Sequence, residues 1–275
     1  MCDKKQPWIP ITNDFMFCRV MSKKEICRGV LKAILPEISV GEIIYPRAQY
    51  SIDAYPDARG VRLDVYTEDG KRVYNIEMQC ARVNDLARRS RYYLGRIDGE
   101  LLDKGQAYAT LRESYVIFIC TFDPFGRHFR RYHFENRCLE DLNLPLADGT
   151  HKIFVNVGGN VGTANPDLEI LLAYFKNAGT EKQSALTQAI NHEVDIANRD
   201  ADWRRKMLTL EMKMNDYRNI GRQEGRIEGR IEGRKEGRTE YQLVTAKRML
   251  TEKCDLSFIA KITGLSEPEI LKLKN

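Results

Sequence analysis

Between residues 60 and 80 apolar and polar positions alternate with a period of two. Val61, Leu63 and Val65 interleave with Arg62, Asp64 and Tyr66, and after Asp69-Gly70 the residues Tyr74, Ile76 and Met78 interleave with Asn75, Glu77 and Gln79. That period is the signature of a strand buried on one face. Asp69-Gly70 suits a two-residue type I′ turn, which needs positive φ at both central positions. The pattern predicts a hairpin in which Glu68 pairs with Lys71, Asp64 lies opposite Asn75 and Arg62 lies opposite Glu77. Arg62, Asp64, Asn75, Glu77 and Gln79 then share one face and the apolar residues share the other.

Upstream, Asn13 or Asp14 caps a helix carrying Phe15, Phe17, Val20, Met21, Ile26, Val30, Leu31 and Ile34, which ends before Pro36. Strand character follows over 43–52, then a turn at Pro56-Asp57-Ala58-Arg59-Gly60 leads into the hairpin. Residues 86–104 switch to helical spacing, with Tyr93, Ile97, Leu101 and Leu102 near one face and Gly105 as a stop. Tyr92 and Tyr93 are read as packing residues. The continuous apolar run at 115–122 suits a central strand buried on both faces. Two further strands are expected over 127–135 and 151–157, with a loop at 143–149 between them. Helices follow over 167–176, after a Thr180-x-x-Gln183 capping box, and over 201–219. The order is helix, three strands, helix, strand, which predicts an α/β core within 1–160 and a helical extension over 161–220.

Residues 221–240 are five tandem units, GRQE, GRIE, GRIE, GRKE and GRTE. A four-residue repeat overshoots the helical turn, so each residue type forms a stripe drifting by about 40° per repeat. Each glycine costs a helix interior about 1 kcal/mol against alanine, and like charges recur at i,i+4. The segment reads as a hydrated linker or as a helix that pairs with a second copy, Arg stripe against Glu stripe. Residues 241–275 form a small helical tail. Ile259-Ala260-Lys261-Ile262-Thr263-Gly264-Leu265-Ser266 resembles a helix-turn-helix, although the last helix is short and carries Lys272 and Lys274, which suits a protein-packing hairpin equally.

Composition narrows the class. The chain has 275 residues, 43% of them hydrophobic and 30% charged, with a net charge of +5 that permits a nucleic-acid partner without requiring one. Seven cysteines, with no C-x-x-C pair, argue for reduced thiols and against a structural zinc site. None of the four histidines has metal-ligand spacing to another. No leader and no long apolar run is visible, so no membrane association and a cytoplasmic location are expected.

In the predicted register Asp64 and Glu77 are diagonal neighbours, with backbones roughly 7–8 Å apart. Two carboxylates at that spacing can converge on one divalent cation, which prefers oxygen ligands. The alternative is an ordinary polar solvent face. Asp64 on one strand, Glu77-x-Gln79 on the next and a basic helix after them resemble the PD-(D/E)xK nuclease superfamily. The closer likeness is to its bacterial transposase-like, recombination-promoting nucleases. It rests on Thr12-Asn13-Asp14-Phe15, Arg62-Leu63-Asp64-Val65, Tyr74-Asn75-Ile76-Glu77-Met78-Gln79, Arg91-Tyr92-Tyr93, Tyr115-Val116-Ile117-Phe118-Ile119, the GRxE repeats and the Thr263-Gly264-Leu265 tail.

The resemblance implies a restriction-endonuclease-like core, a mixed sheet flanked by helices in the order α-β-β-β-α-β, with an α-helical C-terminal region. It further implies metal-dependent hydrolysis of DNA phosphodiesters with low sequence specificity, in recombination or in defence against foreign DNA. Asp64, Glu77 and Gln79 would be catalytic. Asp64, Glu77 and the main-chain carbonyl of Met78 would bind Mg²⁺, with Mn²⁺ as an alternative and Asp14 as either a further acidic neighbour or a helix cap. Gln79 stands where the superfamily usually has lysine, so a cation from the next helix, Arg88, Arg89 or Arg91, would take over the charge role. Those arginines otherwise serve as phosphate contacts or as a solvated face. The rival reading is a catalytically silent DNA-binding or assembly protein on the same fold. A DDE-type transposase is disfavoured, since no third carboxylate stands out downstream.

Overall fold

The computed structural model describes residues 7–52, 61–163, 165–176 and 183–273. The chain falls into two compact units, Met1–Arg204 and Arg205–Asn275. The first begins with helices α1 (Asp14–Met21) and α2 (Lys24–Ile34), followed by strands β1 (Ile44–Ile52), β2 (Val61–Glu68) and β3 (Arg72–Gln79). Helix α3 (Leu86–Leu101), strands β4 (Glu113–Cys120), β5 (Arg131–Phe134) and β6 (Thr150–Asn156), and helices α4 (Pro166–Lys176) and α5 (Ala185–Arg199) complete it. The six strands form one mixed sheet in the order β1-β2-β3-β4-β6-β5. Strand β4 pairs in parallel with both β3 and β6, and the remaining pairs are antiparallel.

The apolar run at 115–120 takes that central position because it can bury both faces. One face of the sheet presents Tyr66, Val116, Phe118, Cys120 and Phe154 to Leu86, Leu94 and Ile97 of α3. The other carries Val65, Tyr74, Ile76, Tyr115, Ile117 and Ile119, all buried, and α1 and α2 pack against β1 and β2. This is the restriction-endonuclease-like α/β architecture, helices on both faces of a mixed sheet.

Several boundaries depart from the pattern. The first predicted helix is two, broken after Ser22, whose hydroxyl donates to the Arg19 carbonyl at 2.6 Å and closes α1. The predicted hairpin register is off by two residues. Glu68 pairs with Val73 and Val65 with Ile76, so the connection is a four-residue loop closed by the Asp69 N–H to the Arg72 carbonyl at 3.1 Å. Gly70 takes φ +83° whereas Asp69 is not among the positive-φ residues, which rules out a type I′ turn. The cause is the Asp69 carboxylate. It accepts from the N–H groups of Lys71, Arg72 and Gly41 and from the Tyr74 hydroxyl, bonds that outweigh its burial and hold its pKa below the ordinary range. A shift of two preserves the face of every side chain, where a shift of one would have inverted it.

Helix α3 stops at Leu101, short of the predicted 104, and β5 is shorter than 127–135 because His128 takes φ +61° ahead of it. A Ser184–Thr187 capping box starts α5. The Thr180 box and the turn at 56–60 lie outside the described residues.

In the second unit the GRxE repeat is helical throughout, inside α6 (Ala201–Thr251). Both flanks of the repeat are helical, so no new nucleus is needed and the glycine cost is spread along one cooperative element. Helices α7 (Leu256–Thr263) and α8 (Glu267–Lys272) pack on the end of α6 around Ala246, Ile259 and Ile270. Gly264 turns the chain at φ +73°, and Ser266 with Glu269 caps α8. Among the described residues no helix is long and apolar enough to cross a membrane.

Candidate active site

The β2–β3 ladder ends at Val65 and Ile76, and continuing its register by one step sets Asp64 against Glu77 rather than diagonal to it. Beyond the last pair the carboxylates take over from main-chain partners. The Asp64 N–H donates to Glu77 Oε1 at 3.1 Å, and the Met78 N–H donates to Asp64 Oδ2 at 3.1 Å. In an extended strand the N–H and C=O of one residue point the same way. The Met78 carbonyl therefore points to the same side of β3 as its N–H, toward β2. From α1, the Cys18 thiol donates to the Asp64 carbonyl at 3.3 Å. Burial and the nearby Asp64 charge raise the Cys18 pKa, keeping that donor protonated.

The polar face is not a solvent face. Glu77 is 3% exposed and Asn75 fully buried, because α3 roofs this side of the sheet. Burial, and then the Asp64 charge, push the Glu77 carboxyl up, against the Asp64 N–H, Asn75 and Arg89, which favour its ionised form. Asp64 is also raised, first by burial and further by Asp14, against the Met78 N–H and the charges of Arg62 and Arg89. Asn75, two residues from Glu77 on the same face, is near enough to favour its carboxylate, although neither amide atom reaches hydrogen-bonding geometry among the described residues.

Of the three candidate arginines, α3 brings Arg89 to the carboxylates. Its Nη2 is 3.7 Å from Glu77 Oε2 and donates to the Tyr93 hydroxyl at 3.1 Å, while Nη1 donates to Gln79 Oε1 at 3.0 Å. The guanidinium lies over the rings of Tyr93 and Phe118, 5.4 and 5.3 Å from their centroids. Gln79 completes its own bonding through Nε2 to the Ala81 carbonyl at 2.6 Å. Both ends of the amide are thus engaged by the protein, and its oxygen fixes the plane of Arg89. A pocket of about 430 Å³ opens beside this cluster, lined by Arg62, Asp85, Arg88, Arg89, Tyr92 and Tyr93. Arg91 is exposed and does not line it.

The cap of α1 is Asn13, whose Oδ1 accepts from the N–H groups of Phe15 and Met16 at 3.1 and 3.2 Å. That leaves Asp14 out of the capping role and within electrostatic reach of Asp64. Tyr93 packs against Phe118 as expected, whereas the Tyr92 side chain is 40% exposed and forms a pocket wall. Sequence reasoning missed Cys18 and the Tyr93 hydroxyl as partners of the site. The i,i+4 spacing of Arg89 and Tyr93 on a basic helix was the available signal for the second.

Among the described residues no three His, Cys, Asp or Glu side chains gather into a metal-holding group. The oxygens on offer at the fork are those of the Asp64 and Glu77 carboxylates and the Met78 carbonyl, all of them hard. Oδ1 of Asp64 and Oε2 of Glu77 are the oxygens that do not accept the cross-strand main-chain N–H groups. Burial raises both carboxyls, and a divalent cation beside them would favour their ionised forms, so the residues fit such an ion.

The family model described as PD-(D/E)XK nuclease family transposase matches residues 11–213. The match takes in the fork, α3 and the whole sheet, and stops short of the GRxE repeat and the Thr263-Gly264-Leu265 tail. No curated protein and no solved structure matches the chain.

Proposed function

Since the chain belongs to the PD-(D/E)XK nuclease family transposases, we propose that it is a metal-dependent endonuclease hydrolysing DNA phosphodiesters with low sequence specificity, in the cytoplasm, in recombination or transposition-like processes or in defence against foreign DNA. The observation that carries the reading is the fork where Asp64 meets Glu77, each carboxylate accepting a main-chain N–H of the other strand, with the Arg89 guanidinium beside them.

Asp64, Glu77 and the Met78 carbonyl would hold Mg²⁺ or Mn²⁺, and Asp14 adds negative potential from the side. When bound, such an ion supplies charge to the scissile phosphate and lowers the pKa of its own water. Arg89 places a positive charge where charge builds on the phosphate, the contribution made elsewhere in the superfamily by a strand lysine. Gln79 positions Arg89, and Tyr93 and Phe118 seat it. Helix α3 keeps bulk water off Glu77, which strengthens each of these interactions. Arg88 and Arg62, at the pocket, would hold neighbouring phosphates, and Arg91 would make a more distant backbone contact.

Plasmid nicking with Mg²⁺ tests the reading. The native protein should nick and Asp64→Ala and Glu77→Ala should not; equal cutting by all three overturns it. A silent DNA-binding or assembly protein is the second reading, favoured by the engagement of both ends of Gln79. It predicts no calorimetric heat with Mg²⁺ or Mn²⁺.

The partner at the C-terminal region is a second copy of the chain. A Cβ built at Gly221, Gly225, Gly229, Gly233 or Gly237 would meet nothing within 4 Å, so these glycines serve no packing within one copy. In each repeat Arg and Glu are two residues apart, about 200° around the helix. They occupy opposite sides and can meet their complements on another α6.

A further inference from the structure

We propose that the pocket along α3 takes a single unstacked nucleotide of the strand being cut, its base against Tyr92 and its flanking phosphates on Arg62 and Arg88, so that the preferred substrate is single-stranded or frayed DNA. The proposal rests on the nuclease reading for the polymer's identity.

Four observations point to a nucleotide. The volume of about 430 Å³ lies within the ~300–1,000 Å³ of small-molecule sites. Arg62 is two residues from Asp64 and Arg89 contacts Glu77, so the pocket adjoins the place where a phosphate would be cut. Arg62 from β2 and Arg88 and Arg89 from α3 give the pocket a positive lining that suits an anionic ligand, and Tyr92, 40% exposed beside them, supplies a stacking face. The fourth is Asp85. It stands at the N-cap position of α3 but its side chain makes no capping bond, and its carboxylate lines the same pocket. A carboxylate repels a bare phosphate. It accepts from the amino or imino groups of a nucleobase, so the ligand carries a base as well as a phosphate.

The preference for an unpaired strand follows from magnitudes. Stacking on an aromatic side chain is worth roughly tenfold to a hundredfold in affinity per base. Pulling a base out of an intact duplex costs a comparable factor. A paired base therefore gains little by entering, and a base that is already unpaired keeps the whole benefit.

The test is equilibrium binding by the full-length protein in EDTA, where cutting is suppressed, at one fixed salt concentration. The probes are an oligonucleotide containing 2-aminopurine, the same strand with abasic positions in place of the 2-aminopurine, and the strand annealed to its complement. The single strand should bind at least tenfold tighter than the duplex, with 2-aminopurine emission quenched. The abasic strand should lose most of that preference. Tyr92→Ala should abolish the preference and the quenching, bringing the single strand to the affinity of the duplex, and Tyr92→Phe should keep both. Equal binding of single strand and duplex, an abasic strand as tight as its parent, or an unchanged ratio in Tyr92→Ala overturns the proposal. Absence of Mg²⁺-dependent cutting with the binding preference intact would instead overturn the nuclease reading and support the pocket.

Discussion

Substituting Arg89 by methionine removes the cation from the site and keeps most of the apolar stem that lies over Tyr93 and Phe118. The charge lies 3.7 Å from Glu77 Oε2, and a phosphate held at that carboxylate would sit at a similar distance. Unit charges about 4 Å apart interact by about 4 kcal/mol at an effective dielectric near 20. The Arg89 side chain is 30% exposed, so solvent screens part of this. Part of what remains acts equally on the ground-state phosphate and does not accelerate the reaction. The loss in cleavage rate should therefore be about 10²- to 10³-fold, the cost of deleting one preorganised charge donor. Single-turnover cleavage of a saturating substrate reads the chemical step free of binding. The double variant Arg89→Met/Gln79→Lys supplies the cation from the strand and should recover at least about tenfold. Wild-type cleavage by Arg89→Met would refute the assignment. So would failure of the lysine to rescue a variant that still binds Mg²⁺.

The remaining predictions concern the acids and the repeat. Asp64 and Glu77 have raised pKa values in the metal-free fold, so the folded chain keeps protons that the unfolded chain releases near pH 4. Their stabilisation is complete below that pH and is lost as pH rises through their folded pKa values. Above about pH 5 Asp69, Glu113 and Asp123, whose pKa values are lowered, no longer titrate. In EDTA the urea midpoint of the native protein should fall with rising pH relative to Glu77→Gln, and Mg²⁺ should flatten that difference; a difference that grows with pH in the opposite sense would exclude the buried acid pair. For the repeat, light scattering should give a larger species for the full chain than for a chain ending at Asn219, and equal assembly states would remove the repeat from any role in pairing.

Much of this site was legible in the sequence because strand periodicity carries its own face assignment. Asp64, Glu77 and Gln79 were placed on one face by parity, and parity survived the two-residue error in register. The error arose where one side chain competes with the backbone. Asp69-Gly70 looks like a tight turn until its carboxylate collects four donors, two of them from outside the loop. Alternation is also silent about which face meets water. The row of Asn75, Glu77 and Gln79 reads as a solvent face until α3 is laid across it, because that burial is decided by Leu86, Leu94 and Ile97, well downstream. The same limit hid the choice among three arginines. Arg88, Arg89 and Arg91 are equivalent as letters, and only the seating of the helix selects Arg89.

If Arg89 is the catalytic cation, as proposed, the charge sits on the roof rather than on the strand and is tied to a different part of the fold. A lysine at position 79 would be held by the sheet, whose β3–β4 pairing runs from Arg72 and Glu113 to Gln79 and Cys120. Arg89 is held by α3, and its approach to Glu77 depends on how Leu86, Ser90, Leu94 and Ile97 seat that helix. Gln79 then acts as a register mark, since its oxygen accepts Arg89 at 3.0 Å in the seated position of the helix. The pocket wall formed by Asp85, Arg88 and Tyr92 lies on the same helix. A nucleotide bound there and the charge beside the carboxylates thus share one rigid element, so a strand that fills the pocket also bears on the placement of the cation. On the proposed reading, the neutral residue at position 79 would move control of the charge from the sheet to the helix that lines the pocket.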